Sequence, residues 1–284
     1  MPDPTDGKDL SRLYKLLAWP DNPFTPEGAR RYRLALDEFK RLMEHEWLKN
    51  LSNRPQVEIL ELCAGRGIGG TALAKILENQ GIKVGLTLTD LRGQALEDGK
   101  KFARNMIKGR VEAMVLDAAE AYKLRKAFDI ILIHGFSTPH FSPWSMVRVL
   151  AATAALSADD SLIIIQEADR RYTVFYQRGY RDLLIEKKDA ERIILSVHAG
   201  YNPLTGTFNR TYLVLGGQEK LSRPVSYDMY FWGIAELRAL LWTFYQKVDF
   251  VKIDPVGPYT MTYFVLGFKP RRRLTPEDFE EMPS

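Results

Sequence analysis

The sequence contains almost no cysteine and no hydrophobic run of membrane length. Cys63 is the only cysteine among 284 residues, which excludes an internal disulfide. The longest apolar runs, such as Ser161 to Ile165 and Tyr263 to Phe268, fall far short of the roughly 20 residues of a membrane span. No secretion-signal pattern opens the chain. We therefore expect a cytoplasmic protein with no membrane partner, and its many charges with few histidines would also suit a thermophile.

Neither sign of charge dominates, and no repeat or long linker divides the chain. The 40 basic and 36 acidic residues leave a net charge of +4, which is a weak indication of a polyanionic partner. The length suffices for one large core with additions. We predict an N-terminal helical addition over residues 1–50, a main domain over 51–270 and a C-terminal tail over 271–284.

The spacing of apolar residues predicts an α/β fold. Two helices, around residues 10–17 and from about Glu27 to Leu48, precede the first strand. From Val57 to Gln166, short apolar runs alternate with helical patterns, which indicates a parallel sheet covered on both faces. A turn-rich segment between residues 192 and 215 then predicts an inserted β-hairpin. A last helix precedes two strands that are antiparallel to each other.

A glycine-rich turn follows the first predicted strand. Four glycines between residues 65 and 70 allow a sharp turn and a close approach of the backbone to a ligand. Their spacing, with Asp90 20 residues beyond the last of them, also fits a dinucleotide-binding fold. Glu61 distinguishes the two kinds of ligand, because a dinucleotide-binding fold normally has an apolar residue at this position. A buried acid at a strand end requires a cation or hydrogen-bond donors. The ammonium group of a methionine moiety is a natural partner.

The segment from Val57 to Ala74 resembles motif I of the class I S-adenosylmethionine-dependent methyltransferases. Glu61 corresponds to the acidic residue of that motif, and Gly65 and Gly67 correspond to its second and third glycines. Cys63 stands where the family usually has its first glycine. The resemblance implies S-adenosyl-L-methionine as the cofactor and methyl transfer as the activity.

The resemblance extends to about Pro270, and the N-terminal 50 residues lie outside it. Together with the residue patterns above, it gives the predicted fold class. This is an α/β fold with a doubly wound, mostly parallel seven-stranded sheet, helices on both faces, a reversed last strand, an N-terminal helical addition and an inserted β-hairpin. Asp90 ends the second strand, where a carboxylate faces the ribose in a doubly wound sheet, although it also suits a helix N-cap. Asp117 corresponds to the family's adenine-binding acid, or is a solvated turn residue. The predicted cofactor-binding residues are Glu61, Cys63, Ala64, Gly65, Gly67, Asp90, Leu91, Asp117, Ala118 and His134.

In the resembling family, the loop after the fourth strand lies beside the transferable methyl group. His134 and His140 in this loop are candidate general bases, with a structural hydrogen-bonding role as the alternative. We expect the N-terminal helices to form a lid over the cofactor. The predicted acceptor pocket, for which ordinary core packing is the alternative, consists of Phe136, Phe141, Trp144 and Tyr201.

A small-molecule acceptor is the leading hypothesis, because the expected pocket is aromatic and no RNA-binding module is recognisable. An RNA or protein acceptor is the alternative, supported by the basic runs at residues 30–33 and 271–273. A NAD-dependent oxidoreductase and a non-catalytic nucleotide-binding protein are remoter alternatives. The Asn-Pro-Pro-Tyr segment of adenine and glutamine amino-group methyltransferases is absent. Attack on cytosine carbon 5 requires a cysteine nucleophile, and it is excluded because Cys63 is already assigned to the cofactor turn. No metal site is predicted, and the oligomeric state stays open.

Overall fold

A computed structural model describes residues 6–17, 19–51, 53–216, 224–256 and 259–279, and seven α-helices and eleven β-strands lie in these ranges. The helices are α1 (Asp6–Leu17), α2 (Pro26–Leu42), α3 (Glu46–Leu51), α4 (Ile68–Asn79), α5 (Gly93–Met106), α6 (Pro143–Leu156) and α7 (Ile234–Phe244). The strands are β1 (Gln56–Leu62), β2 (Lys83–Asp90), β3 (Arg110–Val115), β4 (Phe128–Ile133), β5 (Ser157–Ala168), β6 (Leu183–Lys188), β7 (Arg192–Asn202), β8 (Thr207–Gly216), β9 (Val225–Met229), β10 (Tyr245–Ile253) and β11 (Thr262–Pro270).

The main sheet has seven strands in the order β10-β11-β5-β4-β1-β2-β3. Strands β1 to β5 pair in parallel, whereas β11 is antiparallel to both of its neighbours, β5 and β10. This confirms the predicted sheet with a reversed last strand. Because the strand order reverses between β1 and β4, a crevice opens at the carboxyl ends of these strands, and ligands of doubly wound sheets bind there.

Two hydrophobic cores lie on opposite faces of the sheet. Ile59 and its neighbours on one face pack against α2, α3, α4 and α5. Leu60 and its neighbours on the other face pack against α6 and α7. Alternate residues of a strand point to opposite faces, so the near-continuous apolar strands are buried on both sides. The predicted boundary at residue 50 falls inside α3, whose Trp47 and Leu48 belong to the first core.

The single helix predicted from Glu27 to Leu48 is wrong in its extent. The chain instead forms α2 and α3, which are separated by a tight turn at His45. The backbone N–H of His45 donates to Leu42, and its Nδ1 accepts from the N–H of Trp47 at 3.3 Å. The imidazole thereby satisfies a free N–H at the start of α3. Trp47 then stacks on Phe268 with ring centroids 5.3 Å apart.

The predicted hairpin is present as β7 and β8, but it belongs to a second, four-stranded sheet with the order β6-β7-β8-β9. The two outer strands were not predicted, because β6 is short and charged and β9 has only 5 residues. Leu13 of α1 packs between Tyr212 and Val225 of this sheet. The second sheet and α1 therefore share a small core beside the main sheet.

The segment after β11 continues to pack on the fold through residue 279. Phe279 lies in a short 3₁₀ helix, Pro276–Phe279, and contacts Phe244 of α7 with ring centroids 6.1 Å apart. The last five residues of the predicted tail lie outside the described residues. In the described part of the chain, no helix has both the length and the apolar character needed to cross a membrane.

Candidate functional site

The glycine-rich turn joins β1 to α4 in a left-handed conformation. Cys63, Gly65 and Gly67 have φ angles of +53°, +54° and +67°. Glycine reaches this region without steric cost, whereas cysteine is strained there. The structure thus gives Cys63 the backbone conformation that a glycine would favour. Burial raises the pKa of its thiol, which keeps the group neutral.

Glu61 is buried beneath this turn with one oxygen unsatisfied. Its side chain is 1% exposed, and Oε2 has no hydrogen-bond partner among the described residues. Burial raises its pKa to about 8, while a backbone hydrogen bond from Gly70 and the charge of Arg31 oppose the shift. An orphaned buried carboxylate oxygen carries a large desolvation cost, which a bound cation would offset. This arrangement fits the ammonium group of the predicted cofactor.

Asp90, at the end of β2, holds the glycine turn from the opposite side. Its Oδ2 accepts from the backbone N–H of Gly65 at 2.7 Å. Its Oδ1 accepts from the backbone N–H and the Nε of Arg92, at 2.9 and 3.2 Å. The Arg92 guanidinium reaches over the turn, and its Nη2 lies 2.6 Å from where a Cβ on Gly65 would stand. A ligand that binds Asp90 must therefore share or displace Arg92.

Asp117 follows β3 on the same side of the sheet. Its Oδ1 accepts from the N–H of Ala119 at 2.9 Å, which caps a 3₁₀ helix, Ala118–Leu124. The same residue lines a cavity of about 500 Å³ together with Asp90. The carboxyl ends of β2 and β3 thus bring two acids to one cavity, as the sequence predicts.

The cavity extends from these acids to the second sheet. Seven of the predicted residues line it: Cys63, Asp90, Leu91, Asp117, Ala118, His140 and Phe141. The other predicted residues, Glu61, Ala64, Gly65, Gly67, His134, Phe136, Trp144 and Tyr201, are not part of its lining. Further lining residues that were not predicted include Arg92, Ser145, Arg148, Asn209, Ser226 and Asp228.

Of the four aromatic residues expected around the acceptor, only one lines the cavity. Phe141 faces the cavity, whereas Phe136 is 6% exposed and stacks on Tyr259 with centroids 5.9 Å apart. Trp144 donates its indole N–H to the carbonyl of Leu204 at 2.8 Å, and Tyr201 is 54% exposed. In the structure, Phe136 and Trp144 therefore make packing and hydrogen-bonding contacts outside the cavity.

The two candidate bases occupy different positions. His140 lines the cavity and shares a hydrogen bond of 3.1 Å with the hydroxyl of Tyr14. His134 lies behind it against Phe39, with ring centroids 5.5 Å apart, and its Nε2 has no partner among the described residues. Burial lowers the pKa of each histidine to about 3, and nearby arginines contribute. Both rings are therefore neutral at pH 7, and each is a weak base.

The loop over residues 134–141 is held by three buried side chains. Gln166, in β5, accepts a hydrogen bond of 2.9 Å from the backbone at the start of the loop. Arg170 donates to the carbonyl of Phe136 at 3.2 Å, and Trp232 donates to two carbonyls near the end of the loop, each at 3.1 Å. These buried hydrogen-bond partners, one acceptor and two donors, fix a loop that has no regular backbone pairing of its own.

Residues of the N-terminal segment contact the glycine turn and its neighbours. Asp21 accepts from Arg66 at 2.7 Å and from Arg92 at 3.1 Å. Tyr14 lies over the Arg92 guanidinium, whose central carbon is 4.2 Å from the ring centroid. Arg31 lies against the first turn of the loop after β4, with Nη2 2.5 Å from where a Cβ on Gly135 would stand. No pattern in the sequence indicated that Asp21 belongs to the site. Arg92 could have been predicted as a site residue, because it lies two positions after Asp90.

A family model described as "Lysine methyltransferase" matches residues 37–165. No match was found among curated proteins. A solved S-adenosylmethionine-dependent methyltransferase from Clostridium acetobutylicum is similar, with a TM-score of 0.60 and 14% identity over 92% of this chain and 98% of that one. The sugar N-methyltransferase KedS8 from Streptoalloteichus sp. gives a TM-score of 0.52 and 12% identity over 84% of this chain and 88% of that one.

A further solved structure is S-adenosylmethionine-bound CalS10, an amino pentose methyltransferase from Micromonospora echinaspora. It gives a TM-score of 0.52 and 13% identity over 85% of this chain and 95% of that one. The matching family model covers the glycine turn, Asp90 and Asp117, and the solved structures share the fold. The chain is therefore similar to S-adenosylmethionine-dependent methyltransferases, by a family model over residues 37–165 and by its fold.

Proposed function

We propose that this protein is an S-adenosylmethionine-dependent methyltransferase and that it methylates an amino nitrogen of a small polar molecule. One observation carries the proposal: the cavity that contains the two cofactor-side acids is continuous with a space walled by α1 and the second sheet. Its volume of about 500 Å³ lies within the range of small-molecule sites. A folded protein surface does not fit into such a space, although a single extended side chain does.

The far end of the cavity is lined mainly by polar side chains. Asp228 of β9 accepts from the amide of Asn209 at 2.6 Å, and Ser226 and Arg148 lie around the same end. A carboxylate at this place favours an acceptor with a positive charge or several donors. Hydroxyl and amide groups nearby suit a molecule with many hydroxyl groups. We therefore propose Asp228 as an acceptor-binding residue.

The chain supplies alignment and exclusion of water. When bound, the cofactor would supply an electrophilic methyl group, and S-adenosylhomocysteine would leave as its carbon–sulfur bond breaks and the carbon–nitrogen bond forms. An acceptor that binds as an ammonium loses one proton to water first, because only the neutral amine has the lone pair that forms this bond. Tyr14 and Phe141 line the cavity with their rings, which keep water from the reacting atoms. His140, neutral because its pKa is lowered to about 3 by burial, hydrogen-bonds at the cavity wall and is a positioning group in this proposal. The product ammonium then loses its proton to water at the mouth of the cavity.

The similar proteins support an amine as the acceptor. KedS8 is a sugar N-methyltransferase and CalS10 is an amino pentose methyltransferase. The matching family model is described as "Lysine methyltransferase". All three acceptors carry an amino group. This common chemistry agrees with Asp228 at the acceptor end.

A protein lysine is the second candidate, and the family description favours it. A lysine side chain carries the same amine and could enter the cavity from its mouth. The RNA alternative has less support, because Arg271 donates to backbone carbonyls and Arg272 pairs with Asp159 at 2.9 Å. These contacts occupy part of the basic run at residues 271–273.

The test is to incubate the purified enzyme with methyl-labelled cofactor and three separated fractions: small amines including amino sugars, protein, and RNA. We expect label in the small-amine fraction. For an identified acceptor, Asp228→Asn should raise KM about tenfold while cofactor affinity is unchanged, because one charge-assisted contact is lost. Asp159→Asn, which lies outside the cavity, is the matched control. Label in protein lysine would establish the second candidate, and label in RNA would overturn both.

A further inference from the structure

Arg31 of α2 lies against the start of the loop after β4, and the mechanism above gives it no role. Its guanidinium packs against the turn at Gly135 and lies 5.1 Å from the ring centroid of Trp19. Burial lowers its pKa, and the nearest opposing charges include Asp21 and Glu61. Because it remains charged at pH 7, it is a largely buried cation at the end of β4.

Among the described residues, Arg31 makes no ion pair with a carboxylate. The other arginines around the turn are paired: Arg66 binds Asp98 and Asp21, and Arg92 binds Asp90 and Asp21. A buried guanidinium without a carboxylate carries a desolvation cost that an anionic ligand would offset. Of these three arginines, Arg31 is therefore the one available to bind an anionic ligand.

Unsatisfied polar atoms surround the same place. Glu61 Oε2 and His134 Nε2 are both buried without a partner in the described part of the chain. Both residues contact Gly69, where an added Cβ would stand 2.6 Å from Glu61 Oε1 and 2.6 Å from the Cβ of His134. Close backbone approach at Gly69 and Gly135 brings an acid, an imidazole and a guanidinium to one end of the site.

We propose that Arg31 binds the carboxylate of the cofactor's methionine end. That end carries an ammonium and a carboxylate on one carbon, so the two groups require an acid and a cation only a few ångströms apart. Glu61 is the acid and Arg31 is the cation. The fork of a guanidinium matches a carboxylate with two parallel hydrogen bonds. This proposal concerns the cofactor alone, so it stands or falls separately from the proposed acceptor.

The alternative is that Arg31 only balances the charge of Glu61. Calorimetric titration with three ligands distinguishes the two roles. S-adenosylhomocysteine carries both charged groups, its decarboxylated analogue keeps only the amine, and 5′-methylthioadenosine has neither. We expect Arg31→Gln to weaken binding of S-adenosylhomocysteine by about 10- to 100-fold, the range for a lost hydrogen bond to a charged group. Binding of the other two ligands should be unchanged.

Glu61→Gln provides the complementary pattern, because it should weaken both amine-bearing ligands and leave 5′-methylthioadenosine unaffected. Arg33→Gln, an exposed position on the same helix, is the matched control and should bind all three ligands as wild type does. If Arg31→Gln does not fold, Arg31→Lys keeps the charge without the fork. It should still weaken S-adenosylhomocysteine selectively, by about three- to tenfold.

Two results would overturn the proposal. One is equal binding of S-adenosylhomocysteine by wild type and the Arg31 variants. The other is an equal loss of affinity for all three ligands, which a structural role would produce. Binding of 5′-methylthioadenosine by every variant shows that the cofactor cavity is intact, whatever the acceptor proves to be.

Discussion

Glu61 should lose a proton when the cofactor binds. Burial raises its pKa to about 8, so about nine-tenths of the ligand-free molecules carry the protonated acid at pH 7. A bound ammonium favours the ionised carboxylate and lowers this pKa. If the bound value lies well below 7, binding releases about 0.9 proton per site near pH 7.

The assay is titration with S-adenosylhomocysteine in buffers of different ionisation enthalpy, where the slope of the observed enthalpy counts protons. Glu61→Gln cannot ionise and should remove the release. Any proton uptake by the ligand amine is common to both proteins, so their difference reports Glu61. Glu38→Gln is the control, because burial raises the pKa of Glu38 to about 7 and its partner is Gln166, at 2.9 Å. Equal release from wild type and Glu61→Gln would refute the reasoning.

The same group predicts how the ligand-free fold responds to pH. Its pKa is higher in the folded chain than the ordinary 4.5, so its contribution to stability is full below about pH 4.5 and is lost as pH rises through about 8. At 1.36 kcal/mol per pH unit, the loss is at most about 5 kcal/mol. Urea unfolding at pH 5 and pH 9 should show wild type falling relative to Glu61→Gln. A constant difference between the two proteins would contradict the assigned pKa.

Two further variants test the cofactor side of the site. Asp90→Ala should weaken binding of S-adenosylhomocysteine by about 1–3 kcal/mol, because the variant loses charged hydrogen bonds, and calorimetry that finds unchanged affinity would show that the ribose lies elsewhere. Asp21→Asn should loosen the N-terminal cover by weakening its contacts with Arg66 and Arg92, so that amide hydrogen exchange in α1 becomes about tenfold faster. Exchange as slow as in wild type, or an equal effect of Asp37→Asn at an exposed position, would assign the cover to other contacts.

The main sheet could be predicted because its signals are local. The predicted alternation of apolar runs and helical patterns from Val57 to Gln166 coincides with β1 to β5, which span residues 56–168. Each such strand is buried on both faces, so its hydrophobic run is continuous and its ends are polar. The acids Asp90 and Asp117 stand at those ends, and the sheet topology alone brings them to one edge.

The second sheet could not be predicted in full, because its strands lack that signal. The β6 segment reads Leu-Leu-Ile-Glu-Lys-Lys, and most of its residues are exposed. The β9 segment alternates buried or half-buried with exposed residues over five positions. Short strands that are solvated on one face have weak patterns, and their pairing depends on distant partners. Asp228 on β9 was missed for this reason.

The charges that cover the site depend on contacts that no local pattern contains. Asp21 meets Arg92 across 71 positions of sequence, and Arg31 reaches Gly135 from a helix that precedes the first strand. Asp90 is bound to Arg92, whereas Glu61 Oε2 has no hydrogen-bond partner and Arg31 has no carboxylate partner among the described residues. The cofactor must therefore compete with Arg92 at its ribose end and meets unsatisfied groups at its methionine end. The two charged groups of the methionine end should therefore contribute to affinity, because Glu61 becomes an anion beside the ammonium and Arg31 is a cation beside the carboxylate.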